Sequence, residues 1–253
     1  MKRTCVVFTA FLLLYPGHAI AFSQAISPIH VIIDAGHGGI DGGTSYGGLY
    51  EKDINLEIAR RVYHQLSAEG YQVILNRTGD YALSDENRWS KTSSRHKRDL
   101  AQRRGLAAAL DPQIMVSLHV NWSTNPNTRG GLVLYQQNHQ SFLLADILQH
   151  HLNELYGKKD EPKAGKTYYL LRHSICPTVI VEMGYISNAR DREQMTRPEK
   201  QAELSRAICS GIREYFLLVG SMQKDDLEKA SWTQFWKDVW QKGKQLWEKI
   251  QAM

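Results

Sequence analysis

Two histidines and a glutamate, His37, His119 and Glu182, stand where strands should end, and Glu51 stands just before the first expected helix. Two imidazoles and one carboxylate make a three-ligand catalytic zinc set, with the fourth position open to water. His37, Glu51 and His119 supply those three groups. Glu51 follows His37 by 14 residues across the glycine-dense segment Gly36 to Gly48. Glycines permit tight positive-φ turns, so this segment can fold back and bring both side chains to one ion. His119 arrives from a separate strand end, and Glu182 from another with no evident structural partner. A carboxylate beside an open metal position can take a proton from water and pass it to a leaving amine. The residue types and spacing alone leave a structural reading open, because a histidine beside a glycine turn commonly serves the turn.

These side chains need a scaffold. Ile29 to Ala35 is a short, continuously apolar, β-branched run of the kind a buried parallel strand makes. Asp53 reads as a helix cap, and Ile54, Ile58, Val62 and Leu66 recur at helical spacing up to Gly70. Further strands are expected at Tyr71 to Asn76, Ile114 to His119, Gly131 to Tyr135, Tyr168 to Leu171 and Thr178 to Glu182. Gly79 to Lys97 reads as polar and irregular. Helices are expected over Leu100 to Leu110, His139 to Leu155 and Pro198 to Leu218. Strands alternating with helices predict a single α/β domain over residues 29–219, with a mostly parallel twisted sheet flanked by helices. Such sheets place their sites at the carboxyl ends of strands. Of 10 histidines, only His37 and His119 fall at such ends.

The residue strings carry more than the spacing. V-I-I-D-A-G-H-G-G-I-D-G-G (Val31 to Gly43), E-K-D-I-N-L-E-I-A (Glu51 to Ala59), S-L-H-V-N (Ser117 to Asn121) and L-R-H-S-I-C-P-T-V-I-V-E-M-G-Y-I-S-N (Leu171 to Asn188) stand in this order. They resemble the motifs of the Amidase_3 family, the zinc-dependent N-acetylmuramoyl-L-alanine amidases, from Val31 to about Leu218. The resemblance implies Zn2+ ligation by His37, Glu51 and His119 and a catalytic carboxylate at Glu182. It implies as substrate the peptidoglycan amide between the lactyl group of N-acetylmuramic acid and L-alanine of the stem peptide. Val120 and Trp122 depart from the family's pattern around Asn121, and Trp122 could alter how the glycan is gripped. Asn121 is a candidate substrate contact. Arg172 is assigned to an anionic stem-peptide group, with a surface salt bridge as the alternative.

The stretch Arg88 to Arg104 holds seven basic residues against Asp99 alone. Its bland reading is a solvated loop and helix face. Ser94 to Arg103, with Gly211 to Phe216, also resembles the germination-specific, spore-cortex branch of the family. That branch implies a functional partner deacetylase that completes muramic δ-lactam. A vegetative amidase for daughter-cell separation or wall turnover is the alternative, although Gln136 to Asn138 leaves no room for the inhibitory helix such enzymes often insert there. A non-catalytic wall-binding or activator protein on the same fold is a reading of another class, and would be marked by a lost ligand.

Three other patterns are rejected. Gly43-Thr44-Ser45-Tyr46-Gly47 fits G-x-S-x-G but lies inside a glycine loop, without the strand and helix that a nucleophile elbow needs. Gly165-Lys166-Thr167 lacks the earlier glycine of a phosphate loop, where Asp160 stands. Cys176 precedes Pro177 and a strand, with no helix N-terminus to activate a thiolate.

The chain's 253 residues, 42% hydrophobic and 23% charged, suit one domain with a proper core plus appendages. Its ends read separately. Lys2 and Arg3, the apolar run Cys5 to Tyr15 and Ala19-Ile20-Ala21 make residues 1–21 an expected export signal, too short to span a bilayer as a mature helix. The expected location is therefore secreted or extracytoplasmic, at the cell wall or in the spore's intermembrane space. Removing Lys2 and Arg3 lowers the net charge from +5 to +3, a bias that fits an acidic polymer and is too weak for nucleic acid. Cys176 and Cys209 are one pair and no disulfide framework, and their bonding is left open. Residues 223–253 hold Trp232, Trp236, Trp240 and Trp247, which share one face of an expected amphipathic helix. That face suits packing on the domain or a second copy, a membrane surface, or a protein partner.

Overall fold

The computed structural model describes residues 28–85 and 91–220, together with Gln241. The expected signal segment and the Trp-rich tail lie outside these residues, Gln241 aside. The first strand, β1 (Val31–Ala35), is buried along its whole length, as its apolar run requires. The glycine segment after it folds into a small hairpin of β2 (Ser45–Tyr46) and β3 (Leu49–Tyr50). Next come α1 (Glu51–Ala68), β4 (Val73–Leu75) and α2 (Arg95–Leu110), with a 3-10 turn at Leu83–Asp85 between the last two. The chain continues through β5 (Ile114–Asn121), β6 (Leu132–Tyr135), α3 (His139–Tyr156), β7 (Lys163–Ala164) and α4 (Tyr169–His173). It closes with β8 (Thr178–Tyr185), α5 (Ala189–Thr196) and α6 (Pro198–Gly220).

The sheet has six strands in the order β4-β1-β5-β8-β6-β7. All its pairings are parallel except β6 with β8. The fold is thus a single α/β domain, as expected. On one face, α1, α3, α5 and α6 cover a large core built on Val31, Ile33, Val116, Leu118, Val179 and Val181. On the other face, α2 and α4 cover a thinner layer with Ile32, Met115, Ala107 and Leu170.

Side chains alternate across a strand with period two. Asp34, Ser117, His119 and Glu182 therefore share the α2/α4 face, as their register shows: Asp34 pairs with Ser117 and His119 with Glu182. The thin layer ends in polar chemistry at the carboxyl edge of the sheet.

Three expectations are corrected. Tyr168 to Leu171 is not a strand: β7 already takes the edge beside β6, and the chain winds into α4 from Tyr169 instead. Short apolar runs do not distinguish the two by periodicity. Asp53 is not the cap of α1, which starts at Glu51 after Tyr50. Asp53 sits in the first turn, where a negative charge still suits the helix dipole. Helix α2 begins at Arg95 rather than Leu100, with the Ser94 side chain accepting from the Lys97 amide at 3.3 Å. Its first turn is basic and carries no apolar stripe, so periodicity hides it. Cys176 and Cys209 are both unpaired and buried in different clusters.

Candidate metal centre and active site

The end of β1 supplies His37, in the left-handed region at φ 60°. A non-glycine residue there is held by its surroundings. Two arginines do the holding. Arg77 donates to the carbonyls of Ala35 (3.1 Å), Gly36 (3.1 Å) and Lys52 (2.7 Å). Arg103 donates to the carbonyls of Ala35 and His37, each at 2.9 Å. Arg103 also pairs with Asp34 and Asp99, both at 2.6 Å. Burial works against its charge, but the two carboxylates raise its pKa further above the ordinary arginine value. Asp34 accepts in turn from Ser117 Oγ and Asn76 Nδ2. The basic stretch read as a solvated face thus hides one buried structural cation, Arg103. The signal available was its position, one turn after Asp99 and within a predicted helix.

Glu51 opens α1 and points back under the loop. Its Oε1 lies 3.1 Å from His37 Nε2, 3.0 Å from His119 Nδ1 and 3.0 Å from the Val120 amide that donates to it. Its Oε2 accepts from the Thr44 amide at 2.8 Å. Burial opposes ionisation of Glu51, yet the hydrogen bonds and charges of His119 and His37 hold its pKa well below the carboxylate range. Burial likewise opposes charge on His37, whose Nδ1 lies 2.9 Å from Asp41. Asp41 and Glu51 outweigh that and raise its pKa to about 9. Two glycines make this crowding feasible. A Cβ on Gly36 would strike the His119 ring. A Cβ on Gly43, at φ +64°, would come within 2.5 Å of Glu51 Oε2 and 2.8 Å of His37 Cδ2.

One ligand atom from each of His37, Glu51 and His119 lies within 4.8 Å of the others, close enough to hold one metal ion. This donor set fits Zn2+. Glu182 stands one strand over, level with His119 and 9% exposed. No described residue donates a hydrogen bond to its carboxylate. Burial raises its pKa and the charge of Glu51 adds to this, while the two histidines oppose it.

All four residues line one cavity of about 520 Å3, walled by α2 through His96, Asp99 and Leu100 and by Tyr168, Tyr169 and Leu170. Asn121 also lines it, its Oδ1 accepting from the Trp122 amide at 2.8 Å. Arg172 does not join them. Its side chain is exposed on α4 and lines a different cavity with Gln136, Asn138 and Lys166. Ser45 of the rejected G-x-S-x-G pattern is exposed on the β2–β3 hairpin.

The model of the Amidase_3 family, described as N-acetylmuramoyl-L-alanine amidase, matches residues 31–214. The chain is 32% identical over 200 residues to the protein YqiI of Bacillus subtilis, covering 77% of this chain and 89% of that one. It is 31% identical over 198 residues to the germination-specific N-acetylmuramoyl-L-alanine amidase of the same organism, covering 77% and 83%. Among solved structures, the CwlD amidase of Clostridioides difficile, in complex with the GerS lipoprotein, superposes with a TM-score of 0.70 at 29% identity. That match covers 75% of this chain and 98% of that one.

Proposed function

The chain belongs to the Amidase_3 family of N-acetylmuramoyl-L-alanine amidases, and from that membership we propose a zinc-dependent enzyme acting on the amide between N-acetylmuramic acid and L-alanine of peptidoglycan. The observation that carries the reading is the convergence of His37, Glu51 and His119, with the buried Glu182 level with His119 on the neighbouring strand. A wall-binding protein without activity would have no need of this full set.

His37, Glu51 and His119 would hold the ion. When bound, zinc acts as a Lewis acid that acidifies water and offsets negative charge developing on the amide oxygen. Glu182 would take the proton of the attacking water on its carboxylate, then deliver it to the departing nitrogen of L-alanine. Its environment suits both halves of that exchange. Burial lifts its proton affinity, and no hydrogen bond from a described residue locks the charged form. Asp41 orients the His37 ring, and the Val120 and Thr44 amides orient the Glu51 carboxylate. Asn121, on the cavity wall, would contact substrate.

The setting is proposed on the likeness to the germination-specific enzyme and to CwlD: spore cortex, outside the cytoplasm, in sequence with a deacetylase that completes muramic δ-lactam. No helix among the described residues is long and apolar enough to cross a membrane. Purified wall and cortex incubated with the protein, followed by mass spectrometry of the muropeptides, test both levels. Free stem peptide with peptide-free muramic acid is the expected product. Intact muropeptides from both materials would remove the activity, and equal turnover of both would remove the cortex assignment.

A further inference from the structure

The lip of the cleft carries three exposed aromatic rings. Trp122, Tyr168 and Tyr169 are 52%, 43% and 38% exposed and line the same cavity as the His37, Glu51 and His119 cluster. Other exposed rings have uses within the fold. The Arg192 guanidinium sits 3.9 Å from the centre of the Tyr46 ring, and Tyr169 is tilted against His173 at 4.5 Å. No ring or cation of the described residues lies against the Trp122 indole.

Its backbone is nonetheless fixed. Trp122 follows directly on β5, and the next residues are pinned: Ser123 N donates to Ser187 Oγ at 3.1 Å, and Asn188 Nδ2 to the Pro126 carbonyl at 2.7 Å. Tyr168 lines the same cavity as the residue that leads into α4. An exposed aromatic on a rigid stem, lining the cleft that holds His37, Glu51, His119 and Glu182, is positioned for a ligand rather than for the core.

We propose that Trp122 and Tyr168 form a sugar subsite that stacks on a pyranose ring of the glycan strand beside the scissile amide. This rests on the amidase reading above. The chemistry favours sugar over peptide as the occupant. A pyranose presents a flat face of C–H groups rimmed by hydroxyls, which matches an indole face with polar surroundings. The stem peptide beyond L-alanine is acidic and would call for an available cation. Among the described residues that line this cavity, the one lysine or arginine is Arg103, which is buried and already engaged by Asp34 and Asp99.

The test uses the full chain and two measurements. Calorimetry with peptide-free glycan tetrasaccharide reads sugar binding without any need for catalysis. Trp122→Ala should weaken that affinity about tenfold, equivalent to about 1.4 kcal/mol, and Trp122→Phe should recover most of it. On glycan-bearing substrate, Trp122→Ala should raise KM with a smaller change in kcat. On a sugar-free lactyl-peptide its effect on KM should be several-fold smaller. Equal KM increases on both substrates would place the ring on the peptide and overturn the proposal. So would equal glycan affinity in the wild type and Trp122→Ala. A wild type that binds glycan but cleaves nothing would overturn the amidase reading while leaving the subsite standing.

Discussion

The two walls of the cleft are built on opposite principles. On the His37 side, a left-handed histidine, two buried arginines and a carboxylate with three short contacts hold the His37 loop and the Glu51 carboxylate in place. On the Tyr168 side, a five-residue helix carries half-exposed rings and the solvent-facing Arg172. The first wall holds the geometry that the proposed zinc binding and proton transfer would need. The second leaves side chains free to meet a substrate. Substitutions should therefore divide into those that break the cluster and those that shift only affinity.

The largest effects are expected at the cluster itself. His119→Ala should lose both bound zinc and turnover, and chelation of the wild type should abolish activity that added zinc restores. Glu182→Gln should keep zinc, read by metal analysis, while kcat falls about a hundredfold or more, as for a positioned acid–base group. Normal turnover by Glu182→Gln would take Glu182 out of the chemistry, and full activity of a metal-free sample would take zinc out.

Next in size is the clamp beneath His37. Arg103→Met leaves Asp34 buried with its Ser117 and Asn76 partners but without its cation. Breaking a buried pair from one side costs about 3–5 kcal/mol, so urea unfolding should show a loss of that order. An exposed arginine on the same helix, Arg95, should show a loss within about 0.5 kcal/mol. Equal losses for the two would mean that the buried network is not what holds the β1 exit.

A smaller effect separates strain from crowding within one loop. Gly43 and Gly47 have nearly the same backbone, at φ +64° and +57°. A Cβ on Gly43 meets Glu51 and His37, whereas one on Gly47 meets nothing within 4 Å. Both alanine variants carry the left-handed penalty of about 1 kcal/mol. Only Gly43→Ala should also weaken zinc, by about ten- to a hundredfold, the size expected when support around ligands is lost. If both variants bound zinc equally, the glycine would serve the turn alone.

The sequence disclosed the sheltered wall better than the open one. The apolar strands and the strand-end rule pointed to His37, His119 and Glu182, and the spacing across the glycine segment added Glu51, which the motifs reinforced. Arg103 escaped because a basic run looks solvated until a packed partner is known, and that partner, Asp34, sits 69 residues away. Asp34 itself hid inside an apolar strand. On the open wall, Tyr168 to Leu171 is short and apolar enough for either strand or helix. Its conformation was set by which strand took the sheet edge, a tertiary choice that local spacing does not encode.

Arg172 supplies the smallest expected effect and the sharpest check on the contrast between the walls. Its side chain is exposed, and the cavity it lines holds Gln136, Asn138, Gly165 and Lys166 rather than His37, Glu51 or His119. Exposed charges away from such features are worth little, with substitutions commonly within about 0.5 kcal/mol. Arg172→Ala should therefore change kcat/KM by less than about threefold on wall fragments, since 1.4 kcal/mol corresponds to about tenfold. The decisive comparison sets fragments with a free D-glutamate carboxylate against amidated ones. A residue that grips the anionic stem would lose discrimination between them when truncated. A surface cation outside the cleft would leave the ratio as it was. A marked rise in KM confined to the free-acid fragments would show that α4 turns toward the substrate on binding, and the open wall would then be a moving part of the site.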